Sequence, residues 1–153
     1  MGLHAFVKVI TNLWGTPLTS GGVLRLYLRE MTYKNPEWSY SAVLYELNVR
    51  QLTPEGTFAA AMERLPFLRS IGIDAIWLMP IYPIGIEGRK GSLGSYYSIR
   101  DYKGINEEFG TAEEFRNFVE CAHALGMKVI LDWVANHTAR DARWIEERPA
   151  DWY

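Results

Sequence analysis

The run Lys128-Val129-Ile130-Leu131-Asp132-Trp133-Val134-Ala135-Asn136-His137 decides how this chain folds. It opens as a nearly all-apolar strand and ends in an acid, with Asn and His four and five positions further on. A strand that is apolar residue after residue, rather than alternating, is expected to be buried on both faces. That is the habit of a parallel sheet covered by helices. Working back toward the amino terminus, Thr111-Ala112-Glu113-Glu114 reads as a capping box, in which the Thr and Glu side chains each satisfy one free backbone N–H. Phe115, Phe118, Val119, Ala122 and Leu125 then form an apolar stripe at helical spacing, and Gly126 stops it.

The same alternation continues upstream. Ile73-Asp74-Ala75-Ile76-Trp77-Leu78-Met79 is a second apolar strand, closed by Pro80. Before it, Phe58, Met62, Leu65 and Leu68 share one helix face, with Thr57 as N-cap and Gly72 as the stop. Pro66 removes a backbone donor and is expected to kink or tighten the last turn of that helix. Ala42-Val43-Leu44-Tyr45-Glu46-Leu47-Asn48 is the first strand. The order strand, helix, strand, long loop, helix, strand places the chain in the α/β class with parallel strands and right-handed crossovers. Two architectures fit: an open doubly wound sheet, or the first part of a (β/α)8 barrel. The connection from Ile81 to Gly110 is far longer than the usual 4–6 residues or so. It leaves the carboxyl end of a strand, where both architectures place function.

Residues 1–38 have a different character. Gly15, Pro17, Ser20-Gly21-Gly22 and Asn35-Pro36 are turn signals, and Val23-Leu24-Arg25-Leu26-Tyr27-Leu28 is a candidate strand. The expected organisation is an amino-terminal segment or linker over 1–38 and an α/β domain over 39–153. A chain of 153 residues suits one domain. Sixteen Lys+Arg against eighteen Asp+Glu give a net charge of −2, no footprint for nucleic acid or anionic lipid. No run of eighteen apolar residues occurs, so no spanning helix is expected. Cys121 alone makes no internal disulfide and is most simply a small helix hydrophobe. Met1 to Gly15 lacks the charged start and clean apolar core of a signal peptide, which leaves the compartment open with a lean toward the cytoplasm.

The chemistry-bearing residues gather in two stretches. Asp132 and Asn136 supply oxygens suited to a hard cation such as Ca²⁺, and His137 a donor whose charge is tunable near neutrality. The plainer alternative is that Asp132 caps a turn, Asn136 bonds backbone and His137 is a satisfied loop histidine. The second stretch, Gly91 to Tyr102, is rich in Gly and Tyr. A Tyr offers a flat apolar face and a polar tip. That suits a sugar, with its C–H-rich face and rim of hydroxyls. The plainer alternative is that Tyr96, Tyr97 and Tyr102 pin a long loop. No Gly-Lys-Ser/Thr follows, so this is no phosphate loop. Glu46 and Asp74 project from apolar strands, where a buried carboxylate demands a partner. A catalytic pair made of these two is the weaker idea, because spacing does not fix their separation. Core packing is the default for Trp77 and Trp133.

At these residues the chain resembles the α-amylase family of glycoside hydrolases, family thirteen, from about Val43 to Tyr153. Leu44-Tyr45-Glu46-Leu47-Asn48-Val49-Arg50-Gln51 is similar to the family's first barrel strand and Gly72 to Pro80 to its second. Tyr97-Ser98-Ile99-Arg100-Asp101-Tyr102 resembles its Y-x-x-x-D-Y loop, and Asp132 to His137 its D-x-x-x-N-H block at the third strand. The resemblance implies a partial (β/α)8 TIM barrel, about its first three β/α units, acting on α-glucosidic bonds of starch-type glucans with retention. Tyr97 would stack on the sugar at the cleavage subsite, and His137 would bond its hydroxymethyl group. Asp101 would help hold the loop and the subsite. Asp132 would orient neighbouring side chains, and Asn136 would be a calcium ligand where a calcium site exists.

In that family the nucleophile and the acid/base stand at the ends of the fourth and fifth strands. Retaining hydrolysis needs both. The expectation is therefore a piece of such an enzyme that binds α-glucan or maltooligosaccharide, carries no catalytic residue of its own and is inactive alone. Hydrolysis of α-1,4-glucan is the favoured parent activity, and a transferase or isomerase of α-glucosides is the alternative. Open sheet edges would favour association. The alternatives are a free-standing carbohydrate-binding module using Tyr97, Asp101 and His137, and a small complete doubly wound domain.

Overall fold

Strand β2, Ala75–Leu78, lies between β1, Leu44–Leu47, and β3, Lys128–Leu131, in a parallel sheet of order β1-β2-β3. The computed structural model describes residues 34–147. In register, Leu47, Leu78 and Leu131 stand level, as do Tyr45, Ile76 and Val129, so these side chains share one face. On that face Leu47, Ile76 and Leu78 are buried against Phe58, Leu65, Leu68, Phe118 and Ala122. Those five come from the helices α2, Phe58–Met62, α3, Leu65–Ser70, and α4, Ala112–Ala124. Two further short helices, α1 at Val49–Leu52 and α5 at Arg143–Glu147, complete the described set.

The opposite face carries Glu46, Trp77 and Ile130. Glu46 is exposed and Trp77 is 37% exposed. The expectation of burial on both faces therefore needs correcting: among the described residues, helices cover one face. The reason is topological. Strands added in sequential order by right-handed crossovers put every crossover helix on the same side, which is how a barrel begins. A doubly wound sheet must reverse its strand order to cover the second face.

Local chemistry explains the element ends. The Thr57 hydroxyl accepts from the Ala60 N–H at 3.3 Å and starts α2. At α4 both capping-box bonds form: Glu114 N–H to Thr111 Oγ1 at 3.1 Å, and Thr111 N–H to Glu114 Oε2 at 2.7 Å. Gly72 and Gly126 follow helix ends at φ +95° and +76°, a region open to glycine and costly for other residues. The single kinked helix expected from Phe58 to Leu68 is instead two helices. The break falls at Glu63 and Arg64, and Pro66 sits in the first turn of α3, where its missing N–H has no partner to lose.

Asp74 lies at the amino-terminal end of the sheet. Its carboxylate accepts from Val43 N–H at 3.1 Å and Arg69 Nη1 at 2.7 Å. Glu46 is level with Trp77, three residues further along, about 10 Å at 3.3 Å per residue. The two acids are thus not a catalytic pair. The chain divides into two units, Met1–Ala42 and Val43–Tyr153. The described part of the first holds a 3-10 turn, Glu37–Tyr40, with Ser39 Oγ donating to Pro36 O at 2.8 Å. The candidate strand Val23 to Leu28 falls outside the described residues. No described helix is long and apolar enough to cross a membrane.

Candidate functional site

The carboxyl ends of the three strands deliver the site. Asp132 follows the last residue of β3, and its N–H donates to Leu78 O at 3.1 Å, so the sheet itself fixes its backbone. The long connection from Ile81 to Gly110 folds back over that end. Ile84 and Ile99 form an antiparallel bridge within it. Both isoleucines are buried, which anchors the arch. Tyr97, two residues before Ile99, then reaches Asp132: its hydroxyl donates to Oδ2 at 3.1 Å. Two sequence motifs thirty-five residues apart therefore meet in one contact. The Tyr97 phenol is held above its ordinary pKa of 10.0, first by burial, then by the bond to Asp132 and the charges of Asp132 and Glu46. The residue is still 36% exposed.

Asn136 and His137 are exposed beyond the strand end, with Asn136 Nδ2 3.2 Å from His137 Nδ1. The backbone that carries them is held by Tyr102, whose hydroxyl donates to Val134 O and, at 3.1 Å, to His137 O. The Tyr102 ring stacks on Trp144 at 4.5 Å and 10°. These residues border an open hollow of about 670 Å³ that also takes in Trp133 and Arg140. Trp133 is 70% exposed, against the expectation of core packing. It follows Asp132 just beyond the end of β3, outside the packed part of the sheet.

Asp101 is committed within the protein. Oδ1 accepts from Lys103 N–H at 2.9 Å and Oδ2 lies 2.9 Å from Arg143 Nη1. Tyr96 sits beneath the Arg50 guanidinium at 4.5 Å, and Arg50 pairs with Glu108, so this tyrosine pins the loop to the end of β1. The structure thus joins Tyr97 to Asp132 and Asn136 to His137, and it gives Asp101 to a separate set of partners. Sequence reasoning missed Tyr82. Its phenol is raised by burial and by the negative charge of Asp132, and its ring lies 5.6 Å from Tyr102. The residue sits between Ile81 and Pro83, where its apolar neighbours mask it. Arg143, Asp141 and Trp144 were missed as well.

The donor set does not build a calcium site. Ca²⁺ takes six to eight oxygens. Among the described residues no three of His, Cys, Asp and Glu converge, and Asn136 brings one carbonyl oxygen. That oxygen fits one position in such a shell.

Comparison with known proteins gives a consistent picture. The family model described as alpha amylase, catalytic domain, matches residues 26–151. A trehalose synthase of Pimelobacter sp. is 35% identical over 123 residues, covering 77% of this chain and 20% of that protein. The α-amylase MalA of Haloarcula japonica is 37% identical over 117 residues, covering 74% and 17%. An oligo-1,6-glucosidase of Heyndrickxia coagulans is 34% identical over 116 residues, covering 72% and 20%. Among solved structures, an α-amylase from Lactobacillus plantarum superposes with TM-score 0.71 at 45% identity, covering 73% of this chain and 27% of that one. An α-amylase from Geobacillus thermoleovorans, complexed with acarbose, gives 0.57 at 28% identity, covering 69% and 25%. The chain spans about a fifth of the length of the curated relatives it matches. The three-stranded sheet is that of a partial TIM barrel.

Proposed function

The chain belongs to the α-amylase catalytic-domain family, glycoside hydrolase family thirteen, and from that premise we propose that it forms the glucose-gripping, amino-terminal part of a barrel acting on α-glucosidic bonds. One observation carries this: Tyr97 from the long loop is bonded to Asp132 at the end of β3, above the carboxyl ends of the strands. A ring fixed in tilt by a hydrogen bond and open on one face is what stacking on a sugar requires. Tyr97 supplies that face. His137 donates to the sugar's hydroxymethyl group, Asp132 orients Tyr97, and Asp101 holds the loop that presents it. Asn136 would lend one oxygen to a calcium ion where the barrel has a calcium site. The ligand is an α-glucan or maltooligosaccharide.

The parent reaction proceeds with retention, which needs two carboxyl groups about 5–5.5 Å apart across the scissile bond. In the described residues Asp132 is taken by Tyr97, while Asp74 and Glu46 stand far apart along the sheet. Neither combination gives that geometry, which supports the reading that the described residues hold no nucleophile and acid/base pair and that this chain alone turns nothing over. The relatives' names span hydrolases and a synthase, so the shared element is the α-glucoside rather than one reaction.

Calorimetry with maltoheptaose tests the assignment. The chain binds saturably, Tyr97→Ala abolishes binding, and no reducing sugar is released. Binding indifferent to Tyr97→Ala, or turnover by the purified chain, overturns it.

A further inference from the structure

We propose that Arg100, Asp101, Asp141 and Arg143 form a reciprocal ion-pair clasp between the two loops of the site, and that Asp141 and Arg143 are thereby positioning residues for Tyr97. The word "site" rests on the sugar-binding reading above; the clasp itself rests on geometry.

Each loop contributes one cation and one anion. Arg100 Nε lies 3.4 Å from Asp141 Oδ2, and Arg143 Nη1 lies 2.9 Å from Asp101 Oδ2. The backbones are sewn together between the pairs: Ala139 N–H donates to Ile99 O at 2.8 Å and Arg143 N–H to Arg100 O at 3.0 Å. Asp141 reaches a third segment, accepting from Ile86 N–H at 2.9 Å. That approach exists because residue 85 is glycine. A Cβ there would stand 2.4 Å from Ala139 Cβ and 2.7 Å from Asp141 Oδ1. The acids are the protected members, with side chains 13% exposed for Asp101 and 20% for Asp141. Reciprocal charge also sets register, because sliding one loop by a residue brings like charges together.

The clasp bears on Tyr97 through the chain. Asp132 is fixed by the sheet. Tyr97 rides on the long loop, two residues before Ile99, and Ile99 and Arg100 are the residues bonded to the clasp. Single ion pairs this exposed add little to folding stability. Their effect is to hold the Tyr97 hydroxyl within reach of Asp132.

The test follows the Tyr97 phenol in the full 153-residue chain by NMR of ring-labelled tyrosine across an alkaline titration. The groups that act on this phenol are Asp132 and Glu46, and Tyr82 also feels the charge of Asp132. In the unmodified chain Tyr97 titrates above its ordinary value. Arg143→Ala moves it back toward that value, with the unfolding midpoint in urea held. Asp101→Ala does the same, and the charge-reversed double variant Asp101→Arg with Arg143→Asp restores the upward shift. Arg143 is 63% exposed, so its truncation carries no folding risk and is sufficient by itself. A Tyr97 titration that stays put in Arg143→Ala overturns the clasp, as does a folded double variant that fails to restore it. If maltoheptaose does not bind while these shifts occur, the sugar reading falls and the clasp stands.

Discussion

A phenol that donates to a carboxylate keeps its proton longer than a free one, and this gives Tyr97 a measurable signature. Its folded pKa is raised above 10.0. The unfolded chain therefore releases the proton first as pH rises. The stability this supplies is complete below pH 10 and is lost as pH climbs through the folded value. Tyr97→Phe is expected to flatten that alkaline loss, leaving the share due to Tyr82, and to cost about 0.5–1 kcal/mol at neutral pH in urea unfolding. Asp74 works in the opposite window. The Val43 N–H first, and then the Arg69 guanidinium, hold its carboxyl below its ordinary 3.8. That stability is present above the ordinary value and is lost as pH falls through the folded one. Asp74→Asn is expected to make acid unfolding less steep, with Asp141 supplying what remains: burial raises its pKa, but the Ile86 N–H and Arg100 lower it on balance. A pH–stability profile checks both. Asp132, Asn136, His137 and Tyr97 were legible in the sequence because a motif placed them at a strand end or on a Gly-Tyr loop. Asp141 and Arg143 were not, since an ion pair between two loops leaves no period to find.

Helix ends follow rules that the sequence spells out, so the elements were the most legible level. The capping box at Thr111 is written in four consecutive residues and forms both its bonds. Thr111→Ala is expected to cost about 1 kcal/mol, the usual worth of an N-cap hydroxyl, read as a lower urea midpoint with unchanged slope. The break between α2 and α3 was hidden, because Leu65 and Leu68 continue the apolar stripe of Phe58 and Met62 across it. Periodicity reports which side faces the core, not whether the backbone hydrogen bonds run unbroken. The one-turn helix α1 was hidden for a related reason: four residues carry too little pattern. What sits beneath these helices is a ring cluster. Phe58 touches Phe109, Phe115 and Phe118 at centroid distances of 6.1, 5.3 and 5.9 Å. Phe109 belongs to the far end of the long loop, so one aromatic joins α2, α4 and the loop that carries Tyr97. Phe58→Ala is expected to cost about 3–5 kcal/mol and, unlike Thr111→Ala, to disturb the Tyr97 signature as well.

At the scale of the whole molecule the determining fact is that, among the described residues, helices cover one face of the sheet and not the other. Strand alternation alone did not reveal this, because β2 reads as apolar on both sides and Trp77 looks like any core residue. The difference lies in crossover handedness and strand order, which act on the chain as a whole. The consequence is exposed apolar surface on described residues: Leu44 at 50% and Trp77 at 37% on the open face, and Leu131 at 42% on β3. Among the described residues β1 and β3 each pair on one side only, leaving backbone groups available to another strand. Apolar surface and strand edges left unpaired among the described residues are together expected to favour association of this chain with itself. Sedimentation velocity is expected to show faster species growing with concentration. Leu131→Lys, which sets a charge on an outer strand with its side chain on the face opposite that of Asp132, shifts the distribution back toward the monomer. A chain that stays monomeric at every concentration, or one whose association ignores Leu131→Lys, shows that the open strand is not the contact. The Tyr97 titration separates the two levels, since association through strand edges leaves the phenol bonded to Asp132 and its upward shift intact.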